Sequence, residues 1–376
     1  MTGEILFYTS EFPPDPGGAG MYMYQMAAHL RAFGHDVRAV VYQGHRPEAT
    51  IEAFNAAQTF PIVRMRAMRD LPALRAAVRG RRPAVAVTDD PVSLLHLRRV
   101  FFGTRARLIA VGHGSEFRQS RLPVRWAKVW LYDHCDHLVA NSHFTLERMR
   151  AVGIRSGRVT IVHPGGSIDQ PDPGTVDALR QRHNIPPGAP VIVTVGALSP
   201  RKGQDVMVRA LPLLKAQYPD VRYVIVGRDR TDGQMTAMLR QLAAASGIAD
   251  NVIYAGSVEE AEKGAYYALA DVCALLSRNT HVDVEGFGIV VIEAALCGRT
   301  TVGTAGTGVA EAILDGQTGL LVPQDDPQRT AAAIQRLLAD PDLRARLSAA
   351  AEARARSEYN WEARARVFDS VIRQVL

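Results

Sequence analysis

Glu285 and Glu293 bracket an unusual stretch, Glu285-Gly-Phe-Gly-Ile-Val-Val-Ile-Glu293-Ala-Ala-Leu-Cys-Gly298. From Ile289 to Cys297 every residue is apolar except Glu293, which predicts a helix buried nearly all round that carries one carboxylate. Such a charge is costly unless it is paired or hydrogen-bonded. A lysine or arginine of the protein could satisfy it, and so could the vicinal hydroxyls of a ribose, which donate in pairs. Glu285, Gly286, Phe287 and Gly288 stand where that helix begins, so backbone N–H groups there can meet sugar hydroxyls or phosphate. Three other places have chemical potential. Gly17 and Gly18, within Pro13-Pro-Asp-Pro-Gly-Gly-Ala-Gly20, follow a strand-like run and open the amphipathic stretch Met21 to Phe33, a position suited to an anion or simply to a tight turn. His113 has glycine on both sides, and reads either as a strand-end histidine or as a catalytic one. Lys202, beside Arg201, falls between a strand and a helix, where it either contacts phosphate or belongs to a solvated pair. The cluster His134-Cys135-Asp136-His137 contains ligand types, but no second ligand cluster accompanies it, so no metal is expected.

The elements that must position these residues alternate. Strand-like runs (Ile5-Leu-Phe-Tyr-Thr, Val37-Arg-Ala-Val-Val, Ala84-Val-Ala-Val, Leu108-Ile-Ala-Val, His137-Leu-Val-Ala, Val159-Thr-Ile-Val) are separated by amphipathic stretches of helical length. That is repeated β-α reading, hence a mostly parallel sheet covered on both faces. The polar stretch Asp169-Gln-Pro-Asp-Pro-Gly174 reads as a linker, after which a second series starts at Val191-Ile-Val-Thr-Val and ends at Gly319-Leu-Leu-Val. An α/β chain of two Rossmann-like, doubly wound domains is expected, 1–170 and 185–356, facing across a cleft. In such sheets ligands bind at the carboxyl ends of the strands. No Walker A sequence occurs and Gly18-Ala-Gly20 lacks a third glycine, which excludes a P-loop NTPase and an ordinary dehydrogenase.

Composition narrows the class further. With 376 residues, 47% hydrophobic and 22% charged, the chain can bury large cores. Neither a membrane-spanning apolar run nor a signal-peptide pattern is found, so a cytoplasmic location is expected. Cys135, Cys273 and Cys297 fit no disulfide framework, and the last two read as core hydrophobes. The net charge of +6 is unevenly spread: residues 1–170 hold 22 Lys/Arg against 14 Asp/Glu, while the remainder is slightly acidic. Membrane surface, nucleic acid and phosphorylated substrate are the candidate anionic partners of that half. Between Pro61 and Pro83 lie seven arginines (Arg64, Arg66, Arg69, Arg75, Arg79, Arg81, Arg82), interleaved with Met65, Met68, Leu71, Leu74 and Val78 at spacings of three and four. The pattern fits a helix on an anionic bilayer, or an ordinary surface helix packed on the sheet.

The Glu-x7-Glu segment resembles that of the retaining family 4 glycosyltransferases of GT-B architecture, and the other motifs follow in the same order. Gly17-Gly18 is similar to the first-loop glycines, His113-Gly-Ser-Glu116 to the His-Gly-x-Glu/Asp segment, Val139-Ala-Asn-Ser142 to the end of the first domain, and Lys202-Gly203 to the Lys-Gly of the second. Within the family, Pro200-Arg-Lys-Gly-Gln-Asp205 and Asp283-Val-Glu-Gly-Phe-Gly288 look most like the phosphatidylinositol mannosyltransferase branch.

The resemblance implies a hexosyltransferase moving mannose or another hexose from a nucleotide-diphosphate sugar, a GDP- or UDP-sugar, to a hydroxyl acceptor. That acceptor is lipid-linked, a phosphorylated cyclitol or a soluble small molecule. No other cofactor, no metal and no nucleic acid are implied, and an anionic inner membrane face becomes a candidate peripheral location. A GT-B epimerase and a nucleotide-binding protein without turnover are the alternatives. His113, Lys202 and Glu285 take the catalytic roles. Gly17, Gly18, Arg201, Gly286, Phe287, Gly288 and Glu293 take donor-binding ones. A C-terminal helix, about 357–376, packs back on the first domain. One departure stands out: Gly196-Ala197-Leu198 replaces the family's Gly-Arg-Leu, so the arginine expected on the donor diphosphate is missing, and Arg201 lies close enough in sequence to substitute.

Overall fold

Central strands of a parallel sheet are buried on both faces, and β1 (Ile5–Thr9), apolar but for its last residue, is buried throughout. The computed structural model describes every residue except Met1, Thr2, Pro16, Met68, Arg69, Gln119, Ser120, Pro173 and Val282. It comprises two compact units, one of residues Met1–Gly165 with Trp361–Leu376, the other of Gly166–Asn360. In the first, β1 is joined by β2 (Val37–Tyr42), β3 (Ile62–Met65), β4 (Val85–Thr88), β5 (Arg107–Gly112), β6 (His137–Ala140) and β7 (Val159–Ile161). Their order is β3-β2-β1-β4-β5-β6-β7, with every pairing parallel. Strand order therefore reverses between β1 and β4, where Ile5 lies opposite both Val37 and Val85. The helix Trp361–Val375 packs on the helix Gly18–Ala32, with Phe368 stacked near Phe7 and His35 bonded to Asp369 at 2.6 Å.

The second unit repeats the plan with β8 (Val191–Val195), β9 (Arg222–Val226), β10 (Val252–Gly256), β11 (Val272–Leu275), β12 (Thr301–Thr304) and β13 (Gly319–Val322). The order β10-β9-β8-β11-β12-β13 is again wholly parallel and reverses between β8 and β11. Both sheets are doubly wound, as the alternating pattern implies. The chain leaves the first unit at Gly165, ahead of the polar Asp169–Gly174 stretch.

The segment between Pro61 and Pro83 holds strand β3 and a seven-residue helix, Leu71–Ala77, and matches the second of its two readings, an ordinary surface helix packed on the sheet. Met65, Leu74 and Val78, the apolar side that would enter lipid, lie in the first unit's core. Arg64 and Arg81 are also engaged, Arg64 by Asn55 and the Pro13 carbonyl and Arg81 by Glu4. Met68 and Arg69 lie outside the described residues. Strand β3 is hard to see in sequence because it is a half-buried edge strand interrupted by Arg64. Cys273 is buried in β11, and Cys297, at the end of the helix Ile289–Leu296, is partly buried and packs against the same core cluster, as expected of both.

Gly203 joins the Pro200–Lys202 turn to the helix Gln204–Lys215 at φ 70°, and a Cβ there would lie 1.9 Å from the Leu276 carbonyl oxygen. Backbone strain and a main-chain clash coincide. Gly203→Ala is expected to lower stability by about 3 kcal/mol or more, measured by chemical denaturation. Gly188→Ala, at φ 74° with open space around it, should cost only about 1–2 kcal/mol.

Candidate active site

In the second unit, the functional side chains gather where strand order reverses. After β8 the chain makes the turn that carries Arg201 and Lys202, and after β11 it runs through Ser277 to Asp283 and Glu285. Backbone bonds tie the two loops together, since the Arg278 N–H donates to the Arg201 carbonyl at 2.8 Å. Lys202 Nζ lies 2.6 Å from Glu285 Oε2, and Arg201 bonds the same oxygen through Nη1 while its Nε donates to Asp283 at 2.8 Å. Ser277 Oγ donates to that Glu285 oxygen at 3.2 Å. Burial pushes the Glu285 carboxyl up, but Arg201 and then Lys202 outweigh it and hold it down at about 2. Arg201 therefore points its guanidinium into the cluster formed by Lys202.

Glu285 also anchors the next loop. Its carbonyl accepts from the Gly308 N–H at 2.9 Å, and a Cβ on Gly308 would lie 2.1 Å from the Gly286 carbonyl oxygen, so two glycine-bearing loops meet backbone to backbone. Gly288, at φ 88°, opens the helix Ile289–Leu296, whose first turn has neither a capping side chain nor an acid. Phe287 offers only its backbone, because its ring is buried against Tyr359, with centroids 5.4 Å apart.

Glu293 is buried within that helix, as its surroundings predict, and the protein supplies partners for it. Lys263 Nζ stands 3.3 Å from one carboxylate oxygen and Tyr267 donates its hydroxyl to the other at 2.7 Å. The internal salt bridge is thus present. Glu293 and Glu260 outweigh burial and raise the Lys263 pKa. Sequence reasoning missed Lys263 and Tyr267, although their i, i+4 spacing on the helix Lys263–Leu269 places both on one side.

The first unit holds a second cluster, also at strand ends. Thr9 ends β1, Asp89 follows β4 and His113 follows β5. Thr9 Oγ1 donates to Asp89 Oδ2 at 2.9 Å, and His113 Nε2 lies 3.6 Å from the same oxygen, an electrostatic contact beyond hydrogen-bond reach. Glu116 Oε1 accepts from the His113 backbone N–H at 2.6 Å. Tyr22, from the helix Gly18–Ala32, packs edge-on against the imidazole. Burial pulls the His113 pKa down, but Asp89, Glu116 and Glu11 outweigh it and raise it. Gly17 caps that helix without a side-chain bond and Gly18 is its first residue; Pro16 lies outside the described residues. Neither Thr9 nor Asp89 was legible as a site residue, because only the β1–β4 pairing brings them together. His134, Cys135 and His137 turn to separate partners (the carbonyls of Trp130 and Leu131, and Thr160), a structural arrangement.

With this geometry in hand, comparison with known proteins is informative. The Glycosyltransferase Family 4 family matches residues 16–170, and the Glycosyl transferases group 1 family matches residues 175–354. The chain is 31% identical over 375 residues to a GDP-mannose-dependent alpha-(1-6)-phosphatidylinositol monomannoside mannosyltransferase of Mycolicibacterium smegmatis, covering 96% of both chains. It is 35% identical over 215 residues to D-inositol 3-phosphate glycosyltransferase 2 of Catenulispora acidiphila, covering 56% of this chain and 49% of that one. Among solved structures, Anabaena HepE in complex with UDP and glucose superposes with a TM-score of 0.84 at 20% identity, covering 99% of each.

The depressed Glu285 pKa gives a stability signature. A carboxylate held below its ordinary 4.5 stabilises the fold above that value, and the contribution is lost as pH falls toward about 2. Glu285→Gln is therefore expected to be less stable than wild type at neutral pH, by on the order of 2 kcal/mol. The gap should close as pH falls below about 4.5 in chemical denaturation.

Proposed function

Because the chain belongs to the family 4 glycosyltransferases, we propose that it moves a hexose, mannose first, from a GDP- or UDP-sugar to a hydroxyl of a lipid-linked or phosphorylated cyclitol acceptor, with retention of configuration. The enzyme is a hexosyltransferase of GT-B fold. The observation that carries the donor reading is the cluster of Lys202 and Arg201 on Glu285. Two cations that share a carboxylate can pass to a diphosphate when it arrives. Glu285, relieved of them, and the Gly286 to Gly288 amides orient the donor sugar. Glu293 receives the ribose: a carboxylate offers about four acceptor sites, and Lys263 and Tyr267 use two of them. Gly17 and Gly18 complete the donor contacts.

The chemistry needs little from side chains beyond placement and charge. The bond from the sugar's anomeric carbon to the diphosphate oxygen breaks, and the bond to the acceptor oxygen forms on the same face. The acceptor proton passes to the departing phosphate, so no protein base is required. Lys202 and Arg201 stabilise the charge that develops on the leaving group. His113, biased toward its charged form by Asp89, donates to a sugar hydroxyl.

Mannose and an inositol-type acceptor are favoured by the full-length likeness to the mycolicibacterial enzyme, whose name specifies GDP-mannose and a phosphatidylinositol mannoside, and by the D-inositol 3-phosphate glycosyltransferase. Among the described residues no helix is long and apolar enough to cross a membrane. We place the enzyme in the cytoplasm, peripheral at the inner membrane face.

Differential scanning with GDP, UDP and ADP, each with and without its sugar, should give the largest shift for GDP-mannose. Lys202→Ala should slow transfer by at least ~100-fold; near-normal turnover would remove its leaving-group role. Glu293→Gln should stay folded yet bind donor more weakly by calorimetry, and Ala197→Arg should tighten nucleotide binding. Sugar conversion without any acceptor would favour an epimerase instead.

A further inference from the structure

The helix Leu122–Asp133 buries a lysine and turns its tryptophans outward. Trp126 is 72% exposed, Leu122 65% and Trp130 53%, and these three recur every fourth residue along one side. The buried residues are Lys128, Leu131 and Tyr132. The Lys128 ammonium donates inward to the carbonyls of Glu116 at 2.5 Å and Arg118 at 3.4 Å. The neighbouring helix Pro91–Val100 packs alongside; its Arg98 donates to the Leu131 carbonyl and sits 5.1 Å over the Trp130 ring. Just beyond that helix Phe102 is 90% exposed. Five of the ten exposed large apolar side chains among the described residues lie between Phe102 and Trp130. A soluble surface seldom leaves such a concentration uncovered.

The charge around this apolar side indicates what covers it. Residues 98–133 contain eight Lys/Arg and two acids, Glu116 and Asp133. Glu116 is occupied by the His113 backbone, and Asp133 by the Arg155 and Ser156 N–H groups. Arg99, Arg105 and Arg121 are exposed. A second copy docked through a two-fold axis would press this cationic rim onto itself. An anionic bilayer satisfies both features at once, because tryptophan favours the interface between acyl chains and headgroups and arginine favours anionic headgroups. We propose that the Leu122–Asp133 helix docks the protein on an anionic lipid bilayer, with Leu122, Trp126 and Trp130 at the acyl boundary and Arg99, Arg105 and Arg121 at the headgroups. This rests on the lipid-facing reading of the acceptor, and it moves the contact away from the arginine-rich 61–83 segment.

The protein's own fluorescence provides the test. It has three tryptophans, and Trp361 is buried, so a change in emission on adding vesicles reports on Trp126 and Trp130. With the full chain, vesicles of phosphatidylcholine plus phosphatidylglycerol should shift emission to the blue at low salt, and high salt should reverse the shift; pure phosphatidylcholine should not produce it. Sedimentation should show partitioning reduced ~10-fold or more by Leu122→Ser with Trp126→Ser. Arg105→Gln and Arg121→Gln should each reduce it roughly fivefold. Arg75→Gln with Arg79→Gln and Arg82→Gln should leave it unchanged. The proposal is overturned by absence of the blue shift, by equal binding to neutral vesicles, or by equal loss in that last variant. It is also overturned by a dimer that the Leu122/Trp126 variant abolishes without any vesicle binding. Transfer to a water-soluble cyclitol phosphate separates the two readings. If vesicles bind as expected but neither lipid nor cyclitol accepts sugar, the acceptor assignment fails and the docking helix stands.

Discussion

The shared hold of Lys202 and Arg201 on the Glu285 carboxylate is the constraint around which the second unit is arranged. Two cations drawn out of water next to each other repel, and each needs a counter-charge that is equally dry. Glu285 supplies it, with Ser277 donating to the same oxygen and Asp283 taking the other side of Arg201. Because these groups arrive from the loops after β8 and β11, the cluster also closes the point where strand order reverses. The nearby Gly203 and Gly308 follow from this closeness, since both sit where a side chain would strike another loop's backbone.

A cluster that balances its own charge without ligand is a natural place for exchange. Under the proposed function an incoming diphosphate would compete with Glu285 for the same cations, and the carboxylate it displaced would be an acceptor suited to hydroxyls. The exchange costs less than stripping water from free cations, because desolvation has already occurred on folding. The same economy shapes the first unit, where Asp89 is held by Thr9 and biases the His113 imidazole toward its charged form.

The two arginine-bearing surfaces of the first unit differ in how they treat their apolar residues. In the 61–83 segment Met65, Leu74 and Val78 enter the core, and Arg64 lies over the rings of Phe12 and Phe54. In the helix Leu122–Asp133 the core receives Leu131, Tyr132 and the stem of Lys128, and Leu122, Trp126 and Trp130 remain outside. Periodicity alone treats these cases alike, because spacing defines a face without saying what the face meets.

The doubly wound plan, the strands of both sheets other than β3 among the described residues, and the buried setting of Glu293 were legible in the sequence. These are legible because apolar runs, glycine positions and an isolated carboxylate in an apolar helix are local signals. Tertiary structure alone decided the partners. Arg201 joins Glu285 across 84 residues and Thr9 meets Asp89 across 80. Lys263 and Tyr267 reach Glu293 from another helix. Edge strand β3 and the outward tryptophans belong to the same class. Whether a half-polar segment pairs with a sheet, or an apolar side faces core or solvent, depends on which neighbours the fold brings beside it, and a linear pattern carries no record of them.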